Sequence, residues 1–165
     1  MRSYLYMLFF FWLTSFVIAT LSYFILSMVL PGHGVFGSWY RMIDYHYQNP
    51  IAFIAIPCFF YGIIAPFFAE NFTCQSQKKR LLNTIYIISL VVLVGAPFGG
   101  MLWHYFDMKA GYFPKNWMEK LLVQGSWDGF IMGWFIIGLS FPYNLLGGVV
   151  TYYITKLGSE LMLKS

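Results

Sequence analysis

Two short stretches of this chain place histidine and aspartate residues close together. In WHYFD, His104 and Asp107 are three residues apart, so on a helix both side chains would lie on one face. In DYHY, Asp44 and His46 supply a second carboxylate and a second imidazole. Such groups bind divalent metals or act as general acids and bases. If the two stretches converge, these four residues are the candidate catalytic or metal-binding set.

The same residues also have a purely structural interpretation. Their spacing is looser than the H-E-x-x-H pattern of helical metal sites, and three separate segments, including the one that begins at Asp128, would have to meet. Histidine, tyrosine and tryptophan combine an apolar body with a polar tip, which suits the headgroup region of a membrane. No histidine lies deep in an apolar run, as a haem between helices requires, and no cysteine pattern has zinc-ligand spacing. We therefore predict no cofactor and assign no metal ligand.

The elements that position these residues are long apolar runs. The chain is 59% hydrophobic and 10% charged, whereas soluble domains are about 25% charged. Four runs without a charged residue cover about 4–30, 51–68, 81–103 and 129–155. Each is long enough to cross a bilayer as a helix, and a helix satisfies its own backbone hydrogen bonds there. The sequence predicts an all-α integral membrane protein, with residues 1–165 forming a single four-helix transmembrane domain.

The basic residues predict the orientation of the chain. With four spans, six Lys and Arg residues fall on the side of the two termini and four on the other side. Three of the six form a KKR cluster at 78–80, directly before the third span. Because cytoplasmic loops are enriched in Lys and Arg, we predict that both termini are cytoplasmic, in a bacterial inner (cytoplasmic) membrane. His33, His46 and His104 would then all be extracytoplasmic.

Glycines at the start of the fourth span predict a packing surface. Gly125, Gly129 and Gly133 are four residues apart, so they line one helix face and let another helix approach closely. This face can serve the bundle itself, a homo-oligomer or a foreign subunit.

A short amphipathic helix is predicted just before the fourth span. In KNWMEKLLVQG, Trp117 shares a face with the following apolar residues, and such a helix lies at the headgroup level. It either seals the end of the bundle or forms a docking surface. Trp127 is a further aromatic contact at this interface.

Proline and glycine interrupt the later spans. Pro142 and Asn144, followed by Gly147 and Gly148, could mark an unwound helix of the kind that lines transporter sites. No charged residue lies in the middle of a span, and this counts against an ion-coupled carrier.

Three functions remain open at this level. The leading hypothesis is a non-enzymatic membrane protein that acts by binding, as an accessory subunit or as an inhibitor or immunity-type partner of another membrane protein. The alternative is a small oligomeric transporter, channel or lipid-handling protein, and the third is the membrane enzyme. The expected partners are membrane lipids and either another membrane protein or further copies of the chain. No nucleic-acid partner is expected.

Overall fold

The computed structural model describes residues 2–29, 50–112, 120–139 and 143–163, and these are almost entirely helical, without a strand among them. A π-helical turn, Leu121–Gly125, leads directly into the fourth helix. The prediction of an all-helical protein is confirmed. The five α-helices are α1 (Arg2–Val29), α2 (Pro50–Ala69), α3 (Gln77–Lys109), α4 (Ser126–Leu139) and α5 (Tyr143–Met162).

Three of these helices, α1, α2 and α3, are long and apolar enough to cross a membrane, which marks the chain as a membrane protein. With its 33 residues, α3 is about 50 Å long, whereas the hydrocarbon layer is about 30 Å thick. Both of its ends therefore extend beyond the apolar layer. We call the end at Lys78, Lys79 and Arg80 the basic end, and the end at His104 and Asp107 the histidine end.

The predicted fourth span, 129–155, coincides with two helices. The first, α4, has 14 residues, which makes it about 21 Å long, too short to cross the hydrocarbon alone. The second, α5, carries Lys156 and Glu160 as a surface ion pair at 3.9 Å. Residues 140–142 lie outside the described part of the chain. A single fourth span is therefore not confirmed, and it stays a prediction.

The helices pack in chain order, with α1 on α2, α2 on α3 and α3 on α4, and α5 lies against α1, α2 and α3. The apolar core sits where α1, α2, α3 and α5 meet, around Phe11, Ile87 and Ile154. A Cβ on Gly158 would lie 2.7 Å from a carbon of the Phe11 ring, so α5 approaches α1 this closely only because residue 158 has no side chain.

Buried hydroxyl groups hydrogen-bond α5 to α2 and to the turn that follows α2. The Tyr61 and Thr155 hydroxyl oxygens are 2.9 Å apart, and those of Thr73 and Ser159 are 3.0 Å apart. Thr155 and Ser159 are fully buried. Side-chain hydrogen bonds between packed helices contribute on the order of 0.6 kcal/mol each, so these two contacts add to the apolar packing of α5.

The unwinding predicted around Asn144 is wrong for the described residues, because α5 is helical from Tyr143 onward and passes through Gly147 and Gly148. A glycine costs a helix only about 1 kcal/mol, so Gly147 and Gly148 do not interrupt the helix. Pro142 lies outside the described residues.

Candidate functional site

The polar site at the histidine end is a pair of side chains from two helices. His104 Nε2 lies 3.1 Å from Asp128 Oδ2, and with a proton on that nitrogen the imidazole donates to the carboxylate. His104 is 4% exposed, whereas the Asp128 side chain is 34% exposed. Asp128 lies in the first turn of α4, directly after the π-helical turn Leu121–Gly125.

The two helices reach this distance because glycines line their crossing. A Cβ on Gly100 would overlap the carbonyl oxygen of Gly125, and a Cβ on Gly129 would lie 2.6 Å from Gly100 Cα. A Cβ on Gly133 would overlap that of Ala96. The structure thus places the predicted glycine face, Gly125, Gly129 and Gly133, against α3.

The sequence pointed to four candidate residues, and the described structure contains two of them. His104 and Asp107 share the face of α3 that looks toward α4, and both are buried. Asp44 and His46 lie outside the described residues, so their convergence with this site stays a prediction. Within the described residues, no three metal-binding side chains come together.

The sequence named Asp128 only as the start of a third segment that would have to meet His104, and the structure brings these two residues together. The two are 24 residues apart, and a π-helical turn stands between them. The one available signal was the glycine spacing, because a close crossing of α3 and α4 brings the first turn of α4 beside the last turns of α3.

An apolar groove of about 210 Å³ lies beside this pair, between α2, α3 and α4. Trp103 lies at its histidine end, with its ring centroid 5.1 Å from that of His104. Met132 on α4 lines it and is 41% exposed, so the groove opens onto the outer surface of the described helices. The groove-lining residues are Phe53, Ile56, Pro57, Val91, Val92, Gly95, Ala96, Gly99, Gly100, Trp103, Gly129, Met132 and Gly133.

Neighbouring glycines of α3 have opposite surroundings. Gly100 lies in the crossing with α4, whereas a Cβ on Gly99 would meet nothing within 4 Å. Gly99 therefore keeps the groove open, and Gly100 keeps the helices together. On α3 the groove runs from Val91 to Trp103, a distance of about 18 Å along the helix.

Of the other residues predicted to bind or pack, the two that the structure describes, Trp127 and Asn144, do not line the groove. Trp127 is 62% exposed, and its ring stacks on Phe130 at 6.1 Å. Asn144, in the first turn of α5, accepts a hydrogen bond from the backbone N–H of Leu145. Trp117 lies outside the described residues, as does the first half of the predicted interfacial helix, residues 115–119. Its second half is helical and contains the π-helical turn Leu121–Gly125.

No protein-family model, curated protein or solved structure matches the chain. The interpretation of this site therefore depends on its own residues and geometry.

Proposed function

We propose that the chain is a four-span membrane protein with both termini in the cytoplasm of a bacterial inner membrane. The arrangement of α4 and α5 supports four spans, since α4 packs along the histidine-end half of α3 and α5 along the basic-end half. Together they would form one interrupted crossing. The KKR cluster at the start of α3 supports a cytoplasmic basic end.

Its proposed function is to bind a lipid in the groove between α2, α3 and α4. The observation that carries this proposal is the groove itself, which is walled by small and apolar residues and opens toward the membrane. Its volume is below the roughly 300–1,000 Å³ of pockets for drug-sized ligands, and it runs about 18 Å along α3, so its narrow, elongated shape suits a single hydrocarbon chain. An apolar groove left empty forfeits dispersion contacts with its walls, and the surrounding bilayer supplies a chain to fill it.

The geometry of His104 favours binding over catalysis. Its imidazole is almost completely buried and hydrogen-bonded to Asp128, and one ring carbon faces Gly125. A general base needs access to the proton that it removes. This imidazole instead fastens α3 to α4 beside the groove, so the pair acts as a structural support of the binding site.

A second candidate function is that of an accessory subunit that packs against another membrane protein. Trp127, Ile131 and Phe135 are four residues apart on α4, on the side away from its glycines, and all three are exposed. In a bilayer this row contacts either lipid or a neighbouring helix. If the neighbour is a helix, this row is the surface of α4 against which a partner protein would pack.

The test is purification of the tagged protein in a mild detergent, followed by native mass spectrometry. Lipid binding predicts a retained lipid of one copy per chain, and Gly99→Leu should displace it by filling the groove. Gly147→Leu is the matched control, because its Cβ also meets nothing within 4 Å but lies on α5. A second protein at fixed stoichiometry would instead support the accessory subunit. Recovery of the chain with neither would refute both functions.

A further inference from the structure

We infer that the groove holds one acyl chain of a phospholipid from the extracytoplasmic leaflet, with an amine-bearing headgroup beside Asp128. This inference rests on the proposed function and deepens it, because it specifies the leaflet, the direction and the headgroup of the lipid. Three features of the structure carry it: the depth of the groove, the difference between its two ends, and the charge beside one of them.

The depth of the groove matches a single leaflet. The uncharged part of α3, residues 81–103, is about 33 Å long, so it fits the hydrocarbon layer of about 30 Å. The groove covers its second half, from Val91 near the midplane to Trp103 at the histidine end. Its length of about 18 Å is close to half of the hydrocarbon layer, which is the depth that one acyl chain fills. A chain from the opposite leaflet would not reach it.

The two ends of the groove differ in chemistry, and this sets the direction of the lipid. At the midplane end, Val91 belongs to the apolar core, and the wall opposite the next turn of α3, at Gly95, is formed by Ile56 and Pro57. A polar headgroup there would lose its hydration without a polar contact in return. At the other end, Trp103 borders the groove and Asp128 is partly exposed. The headgroup therefore belongs at the histidine end.

The charge beside the groove favours an ammonium group over a phosphate. The hydrogen bond from His104 uses one oxygen of the Asp128 carboxylate, and a third of this side chain is exposed, so the carboxylate can accept a further, charge-assisted hydrogen bond. Two described lysines are exposed at this end. Lys109 lies nine residues beyond Gly100, which places it about 180° around α3 from the crossing, and Lys120 precedes the π-helical turn, about 12 Å along the helix from Asp128. A phosphatidylethanolamine headgroup fits this end better than an anionic one.

The first test maps the direction of the lipid. Phosphatidylethanolamine with a diazirine near the glycerol and a second version with the diazirine at the chain end are each reconstituted with the full chain and photolysed. Peptide mapping should place the first label near Trp103 and Phe53, and the second near Val91 and Ile56. A reversed pattern would overturn the inference, although a lipid would still occupy the groove. Absence of label from the groove residues with both probes would refute the proposed function as well.

The second test measures the headgroup preference by native mass spectrometry with equal amounts of phosphatidylethanolamine and phosphatidylglycerol of identical chains. We expect the wild type to favour phosphatidylethanolamine roughly fivefold, the factor that a hydrogen bond of about 1 kcal/mol to the partly exposed Asp128 supplies. Asp128→Asn should reduce this preference to about twofold or less, whereas Glu160→Gln, a matched change on α5, should leave it intact. Binding of both lipids with equal affinity to the wild type would overturn the headgroup assignment.

Discussion

Gly129→Ala should loosen the crossing of α3 and α4 and break the contact between His104 and Asp128. The added Cβ would lie 2.6 Å from Gly100 Cα and overlap the carbonyl oxygen of Ala96, whereas carbon atoms pack at about 3.5–4.0 Å. Both obstacles are backbone atoms, so α4 must move away by about 1 Å. The His104–Asp128 distance of 3.1 Å would then pass the limit of a hydrogen bond at about 3.5 Å.

The expected loss of stability follows from three contributions. Overpacking costs about 1–3 kcal/mol. Loss of the hydrogen bond costs about 1 kcal/mol, below the usual range for a charged partner because Asp128 is one-third exposed. The higher helix propensity of alanine offsets up to about 1 kcal/mol of this destabilisation. The net destabilisation is about 2 kcal/mol, which changes the unfolding equilibrium constant roughly 30-fold.

The assay is equilibrium unfolding in mixed detergent micelles, followed by tryptophan fluorescence. Gly138→Ala is the matched control, because Gly138 lies on the same helix and a Cβ there meets nothing within 4 Å. It should leave stability unchanged or raise it by up to about 1 kcal/mol. If the Gly129→Ala variant were as stable as the wild type, the close crossing of α3 and α4 would be refuted. An equal loss in both variants would show that glycine content, rather than contact, matters in α4.

Three further predictions concern other parts of the bundle. Tyr61→Phe and Thr155→Val should show a coupling of about 0.6 kcal/mol in a double-mutant cycle, and zero coupling would mean that these hydroxyls do not meet. Replacing the basic residues at 78–80 by glutamine should produce chains with an inverted or mixed orientation, measured with reporter domains fused to the C-terminus; an unchanged orientation would show that other residues set it. His104→Ala should lower stability by about 2–5 kcal/mol, as expected when a side chain of this size and its hydrogen bond are removed from a buried site, and a neutral result in the unfolding assay would contradict the supporting role of the pair.

The apolar runs determined the helices of this protein. The predicted runs at 4–30, 51–68 and 81–103 fall within α1, α2 and α3 apart from residue 30, which lies outside the described residues. This agreement has a simple physical reason: in hydrocarbon a helix is the structure in which a single apolar segment satisfies all its backbone groups. The glycine spacing likewise identified a face for close packing, because that property depends on the periodicity of one helix.

Only the tertiary structure decided which residues meet. The partner of His104 in the described residues is Asp128, and neither spacing nor composition relates two residues on different helices. Gly99 and Gly100 are adjacent in sequence and identical in type, and both border the groove, yet only Gly100 is buried against α4. The groove exists because α2, α3 and α4 leave space between them at one depth. Such a space depends on the positions of three helices at once, whereas a sequence pattern describes one helix at a time.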